Sequence, residues 1–230
     1  MLHTNKKDTS IVDLGISKSI ESENNMSQFL APIHGWLFNK VLLLESLEED
    51  IASYYDDTEI KTIHNQLKDQ MGDLLPKAPL EQLIDKSNIH GWLQVTINRA
   101  EQRQAALVGE VLKRDEKALE LISKIYKDKG RSLADDMSMM GPKDVFTALN
   151  NVLLEGMPCD RVHQILEDSP NRLTWHIVTC VHRGNWEGQG VDVNNYYQLR
   201  HAFTQGFVEA ADHLSYQANI DSQTYTLETL

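Results

Sequence analysis

From position 29 to about 55, apolar residues return every three or four positions: Leu30, Ile33, Leu37, Val41, Leu44, Leu47 and Ile51. That spacing lines one face of a helix, so a long amphipathic helix is predicted over 29–55. Asp56, Asp57 and Thr58 offer a cap, after which Ile60, Ile63, Leu67, Met71 and Leu74 extend the pattern into a second helix that stops at Pro76. The stretch 76–79, proline at both ends, is a connector; Leu80 to Ile84 adds a turn, and Ser87 or Asn88 caps a long helix over 89–113. A further helix over 115–129 turns Ala118, Leu121, Ile122 and Ile125 inward and ends at Gly130, with lysines in its last turns where they suit the helix dipole.

Past this point Gly141, Pro142, Gly156, Pro158, Pro170, Gly184, Gly188 and Gly190 cut the chain into shorter pieces. The pattern predicts a helix over 143–154 and a short helix over 161–167. A strand is predicted over 173–182, from the β-branched and aromatic run Thr174, Trp175, Ile177, Val178, Thr179 and Val181. A mobile glycine-rich loop over 185–190 follows, carrying Trp186 as a lid over a pocket. The last helix spans 193–219, with Tyr196, Leu199, Phe203, Phe207, Ala210 and Leu214 inward, and 224–227 closes the chain as a strand. The expected fold is mainly α, close to all-α, with a small antiparallel β element (α+β). It is read as a polar tail over 1–27 and one helical domain over 28–230, whose β-containing half begins near 130.

The pentapeptide Ile33-His34-Gly35-Trp36-Leu37 recurs as Ile89-His90-Gly91-Trp92-Leu93, 56 positions later, each time at the head of a predicted helix. Glu45 and Glu101 each lie 11 residues past their histidine, about three helical turns on and nearly on the same face. The chain therefore reads as a helical bundle containing a duplicated helix.

Charge and cysteine usage narrow the partners. With 22 Lys+Arg against 34 Asp+Glu the formal charge is −12, a mean field that repels phosphate backbones and anionic membranes. Nucleic acid and membrane are not expected partners; the apolar run Val41-Leu42-Leu43-Leu44 is far short of the roughly 20 residues that span a bilayer. The polar amino terminus has no apolar core for export, so a cytoplasmic protein is expected, with Cys159 and Cys180 as free thiols. A homo-oligomer is compatible with the sequence, and no cofactor is named by it. Walker, GxGxxG, GxSxG and HExxH motifs are all missing.

Three constellations could carry chemistry. If the repeat helices packed antiparallel, His34 would face Glu101 and His90 would face Glu45; otherwise Trp36 and Trp92 anchor the helix starts while each histidine caps a turn. On the predicted strand, His176, Cys180 and His182 share a face. An imidazole at His182 could then raise the thiolate fraction of Cys180, with Asp168 or Glu167 as the orienting acid; the bland alternative is a buried free cysteine. On the last helix, His201, Gln205, Glu209 and His213 follow at intervals of four, and Glu209 with His213 could bind a metal together with His34 and His90. A wet helix face would look the same.

From about position 100 onward the order of parts resembles the L-2-amino-thiazoline-4-carboxylic acid hydrolase family. The resemblance rests on Glu116-Lys117-Ala118-Leu119 leading to Lys129-Gly130, and on the acidic turn at Asp168 before the run from Leu173 to Cys180. A Tyr- and Phe-rich helix from Tyr196 to His213 and a short terminal strand complete it. It implies a cytoplasmic enzyme that opens a small heterocycle by adding water across a C=N bond, with Cys180 the first residue to test. The chain departs from the family pattern in lacking a third cysteine and in placing the Trp186 loop directly after the strand.

Together these features predict hydrolysis of a C–N bond in a small heterocycle or amide, with Cys180 as nucleophile, His182 as base and Asp168 as orienter. The pocket is expected between the repeat helices and the last helix, floored by Trp36, Trp92 and Tyr197. The rivals are a metal-dependent bundle on His34, His90, Glu209 and His213, and a non-catalytic module binding a ligand or partner helix.

Overall fold

The computed structural model describes residues 30–55, 58–115, 117–134 and 140–230. The expected tail over 1–27 and the cap at Asp56 and Asp57 lie outside them. Helix α1 (Pro32–Tyr54) begins on Pro32, whose missing N–H would have no intrahelical partner anyway, and the His34 imidazole accepts the Ala31 N–H at 3.1 Å. Leu37, Val41, Leu44, Leu47 and Ile51 form its buried face. Helix α2 (Thr58–Met71) stops at Gly72, where φ is +97°, a conformation that glycine adopts without the Cβ clash of other residues. After the short α3 (Leu80–Leu83), α4 (Ile89–Leu112) starts beneath Asn88, whose side chain accepts the Gly91 N–H.

A buried ionic knot ties α1, α2 and α4 together. Arg103 of α4 donates to Glu45 at 2.8 Å, to Glu48 at 2.7 Å and to the Gly72 carbonyl at 2.9 Å, and His64 of α2 meets Glu48 at 2.8 Å. Glu45 also accepts the Leu75 N–H, so the carboxylates buried in this knot are held by several donors.

The remaining elements are α5 (Ala118–Leu133), α6 (Pro142–Val152), β1 (His163–Ser169), β2 (Arg172–Ile177), α7 (Arg183–Glu187), α8 (Val193–Val208), β3 (Leu214–Asn219) and β4 (Thr224–Thr229). The four strands form one antiparallel sheet in the order β1-β2-β4-β3. Leu173, Trp175 and Ile177 alternate inward from β2; Trp175 stacks on Tyr225 of β4 at 5.5 Å and meets Phe146 of α6 at 4.8 Å. That aromatic layer joins the sheet to the helices, and the fold is α+β, mainly helical, rather than close to all-α.

Several expected elements change kind. The segment read as a helix over 161–167 is strand β1: Ser169 pairs with Arg172 around a two-residue turn at Pro170 and Asn171, making a hairpin. The β1 strand lies at the sheet edge and exposes Ile165 and Leu166, so its apolar pair mimics a helix pattern without the alternation of a half-buried strand. The predicted strand over 173–182 ends at Ile177, and the helix expected to reach 219 ends at Val208, the remainder forming β3 against β4. Gly130 does not end its helix. It lies inside α5 where α8 crosses, and a Cβ there would meet the Phe203 carbonyl oxygen at 2.1 Å.

Candidate functional site

Side chains that end up together come from α1, α4, α6's exit, the segment before α7, and α8. His182, just ahead of α7, is buried and stacks on Tyr196 of α8 with ring centroids 3.9 Å apart. Its Nδ1 meets Glu101 of α4 at 2.5 Å, and the other Glu101 oxygen accepts from Asn185 at 2.7 Å. On its far side, Nε2 faces Glu155 at 3.8 Å. Burial alone would discharge this imidazole, but the two carboxylates outweigh it and lift its pKa to about 10. His182 is thus an imidazolium at neutral pH.

Glu155 follows α6 and ion-pairs with Arg200 of α8. Burial would raise its pKa; Arg200 first, then His182 and His163, hold it well below the usual carboxylate range. Its Oε2 lies 3.8 Å from His182 Nε2 and 3.9 Å from His163 Nε2. Those three atoms, with Arg200 Nη1, are buried polar atoms without a hydrogen-bond partner among the described residues. Buried polar groups are rarely left so; Glu155 and His163 border an outer hollow, and His182 and Arg200 an inner one.

Lys40 completes the arrangement. It is 3% exposed, its Nζ lies 3.3 Å from the centroid of the Trp36 ring, and it lines two adjoining hollows. The inner one, of about 30 Å³, is bounded by Leu43, Leu47, Glu101, Tyr126, His182, Tyr196 and Arg200, room for roughly two water molecules. The outer one, about 250 Å³ and open to solvent, is bounded by Trp36, Glu155, Met157, Arg161 and His163. Burial brings the Lys40 pKa down to about 7, against a smaller opposing pull from Glu155. The Trp36 face also favours the ammonium, by about 1 kcal/mol.

The residues singled out from sequence are placed differently. His182 lies in the cluster, but as an imidazolium it cannot act as the base for Cys180. Its acid is Glu101, not Asp168, which pairs with Lys143 at 2.5 Å at the exposed end of β1. Cys180 is a half-buried free thiol beside the Tyr197 hydroxyl. These three do not form a triad, because the strand that was to align Cys180 and His182 ends before either. Trp186 is fully buried in α7 against Tyr196, so it is core and not a lid. Trp92 packs on Phe38, and only Trp36 of the expected floor borders the outer pocket.

The metal ligands also separate. His34 and His90 meet, Nε2 to Nε2 at 3.2 Å, which sets the two repeat starts side by side rather than opposing each histidine with a glutamate. Since His34 Nδ1 accepts the Ala31 N–H, its proton resides on Nε2 and is donated to His90, leaving His34 no lone pair for a metal. Glu209 is taken by Lys127 and Arg131, and His213 donates to the Met140 carbonyl at 2.8 Å. Among the described residues no group of three His, Cys, Asp or Glu could hold a metal ion, and no helix is long and apolar enough to cross a membrane.

Lys40, Glu155, His163 and Arg200 were not singled out from sequence, yet two of them had a legible signal. Lys40 falls on the apolar face of α1 beside Leu37 and Leu44, and Arg200 falls between Tyr196 and Phe203 on the inward face of α8. A charge on a core-facing stripe requires a partner or a purpose. Set against protein-family models, curated proteins and solved structures, the chain gives no match.

Proposed function

We propose that this chain is a small-molecule enzyme whose site is the outer pocket beneath Trp36, with Lys40 as the reactive group and a small anion as ligand. The observation that carries this reading is Lys40 itself: a nearly buried amine, titrating near neutrality, that lines both an open pocket bordered by Glu155 and His163 and a small, mostly apolar cavity bordered by His182 and Arg200. Those four side chains each carry a buried polar atom without a hydrogen-bond partner among the described residues. Even with Lys40 uncharged, Arg161, Arg200 and the His182 imidazolium face only Glu101 and Glu155 as carboxylates. Positive charge is thus in local surplus on a chain of net charge −12, which favours a carboxylate-bearing guest. At about 250 Å³ the pocket suits a compact metabolite rather than a drug-sized ligand.

C–N bond chemistry at this site would then fall to the Lys40 amine, the Cys180 thiol having no part. The ligand comes from solution, in a reducing cytoplasm where both thiols stay free. The same reading takes α1 and α4 as descendants of one duplicated helix in a helical bundle, supported by the repeated pentapeptide and the His34–His90 contact. A thermal-shift screen of small carboxylates tests the function: hits should lose their effect in Lys40→Met and Trp36→Ala. Hits that stabilise both variants as well as the wild type would overturn it.

A further inference from the structure

We infer that Lys40 forms a covalent imine with the carbonyl carbon of a small oxo acid, a ligand carrying both a ketone or aldehyde and a carboxylate. This rests on the reading of the Trp36 pocket as a small-molecule site and goes beyond it in naming the bond and the substrate class. Imine formation needs an uncharged amine, access for a carbonyl, an exit for water and a counter-charge for the product. Lys40 supplies the first through burial; the open pocket at Trp36 and Arg161 supplies the second and third. Glu155, held as a carboxylate by Arg200, supplies the fourth, since a protonated imine places its positive charge where the ammonium had been. Arg161, exposed at the wall of the outer pocket, is the cation available for the ligand's carboxylate, because Arg200 borders the inner cavity and not the outer pocket.

The step balances without an oxidant. The Lys40 Nζ lone pair attacks the carbonyl carbon, the C=O π pair moves to oxygen, and that oxygen takes a proton from solvent through the open pocket. The carbinolamine then loses the hydroxyl as water while nitrogen keeps one proton, leaving a C=N bond. The half-buried Trp36 ring, its centroid 3.3 Å from Nζ, covers one side of the amine, and the outer pocket that both residues line is the open approach for a carbonyl.

The test uses the full-length protein at pH 7 with pyruvate and cyanoborohydride, followed by intact-mass and peptide mapping. One reduced pyruvate adduct per chain, on Lys40, is expected, and its rate should rise from pH 6 to 8 and then level off. Scattered labelling of surface lysines that keeps rising to pH 10, or none at Lys40, overturns the inference. Lactate, which has the carboxylate without the carbonyl, separates the two levels. If lactate and pyruvate both protect the protein thermally but no adduct forms, the imine is wrong and the binding site stands; if neither binds, both readings fall. Because mapping is done on the wild type, the result does not depend on Lys40→Met folding, which serves only as the unlabelled control.

Discussion

Gly206→Ala should cost this protein stability even though alanine is the better helix former. In the crossing of α5 and α8, a Cβ on Gly206 would sit 1.9 Å from the Lys127 carbonyl oxygen, and one on Gly130 would sit 2.1 Å from that of Phe203. Ordinary van der Waals contact begins near 3.4 Å, so the obstacle falls short by about 1.5 Å at Gly206. Both obstructing atoms are backbone within helices, so relief comes only from moving the helices apart. That would loosen Phe203, Phe207, Ile122 and Tyr126, all buried nearby. Helix propensity returns about 1 kcal/mol, and overpacking of a rigid contact costs about 3 kcal/mol, a net loss of about 2 kcal/mol. For a chain of this size that lowers Tm by about 4–8 °C. Urea unfolding followed by circular dichroism, with calorimetry for Tm, measures it. The double variant with Gly130→Ala should lose less than the sum, because the first separation makes room for the second methyl. Gly35→Ala is the control: nothing lies within 4 Å of its Cβ, so it should gain up to about 1 kcal/mol. A Gly206→Ala protein as stable as the wild type would refute the close-crossing argument.

Other outcomes follow from the charges. The His182 pKa rises from 6.5 unfolded to about 10 folded, so its contribution to stability is complete below pH 6.5 and is lost as pH climbs toward 10. In His182→Gln that downward trend should vanish, and at pH 6 the variant should be about 3 kcal/mol less stable, because Glu101 and Glu155 lose the charge between them. Lys40 has the opposite sign: its pKa falls from 10.5 to about 7, so the buried ammonium penalises folding fully below pH 7 and the penalty fades toward pH 10.5. Lys40→Met should therefore be more stable than the wild type, by about 2 kcal/mol or more at pH 6 and by progressively less at alkaline pH, measured by urea midpoints across pH. In the wild type the two trends oppose each other between pH 7 and 10, and only the single variants reveal them. Arg103→Met should lose about 3–5 kcal/mol in the same assay, since Glu45 and Glu48 would be left as buried, mutually repelling carboxylates.

What the sequence determined by itself was local. Period and punctuation were enough for α1, α2, α4 and α6, because the inward stripe from Leu37 to Ile51 and a proline in the first turn act through neighbours three or four residues away. The inward core of β2 was equally legible from Trp175 and its β-branched flanks. The tertiary structure decided everything whose partner lies far along the chain. Edge strand β1 and strand β3 exist because β2 and β4 supply hydrogen bonds, and nothing in their own residues distinguishes them from short helices. Gly130 reads as a helix end until α8 lies across it. His182 looks like a base for its neighbour Cys180 until Glu101 and Glu155 arrive from distant elements and fix its charge. Lys40 is merely an odd charge on an apolar stripe until a cavity opens beside it. Helical periodicity is written within a few turns of chain, whereas the charge state of a buried group depends on whatever folding carries to within a few ångströms of it.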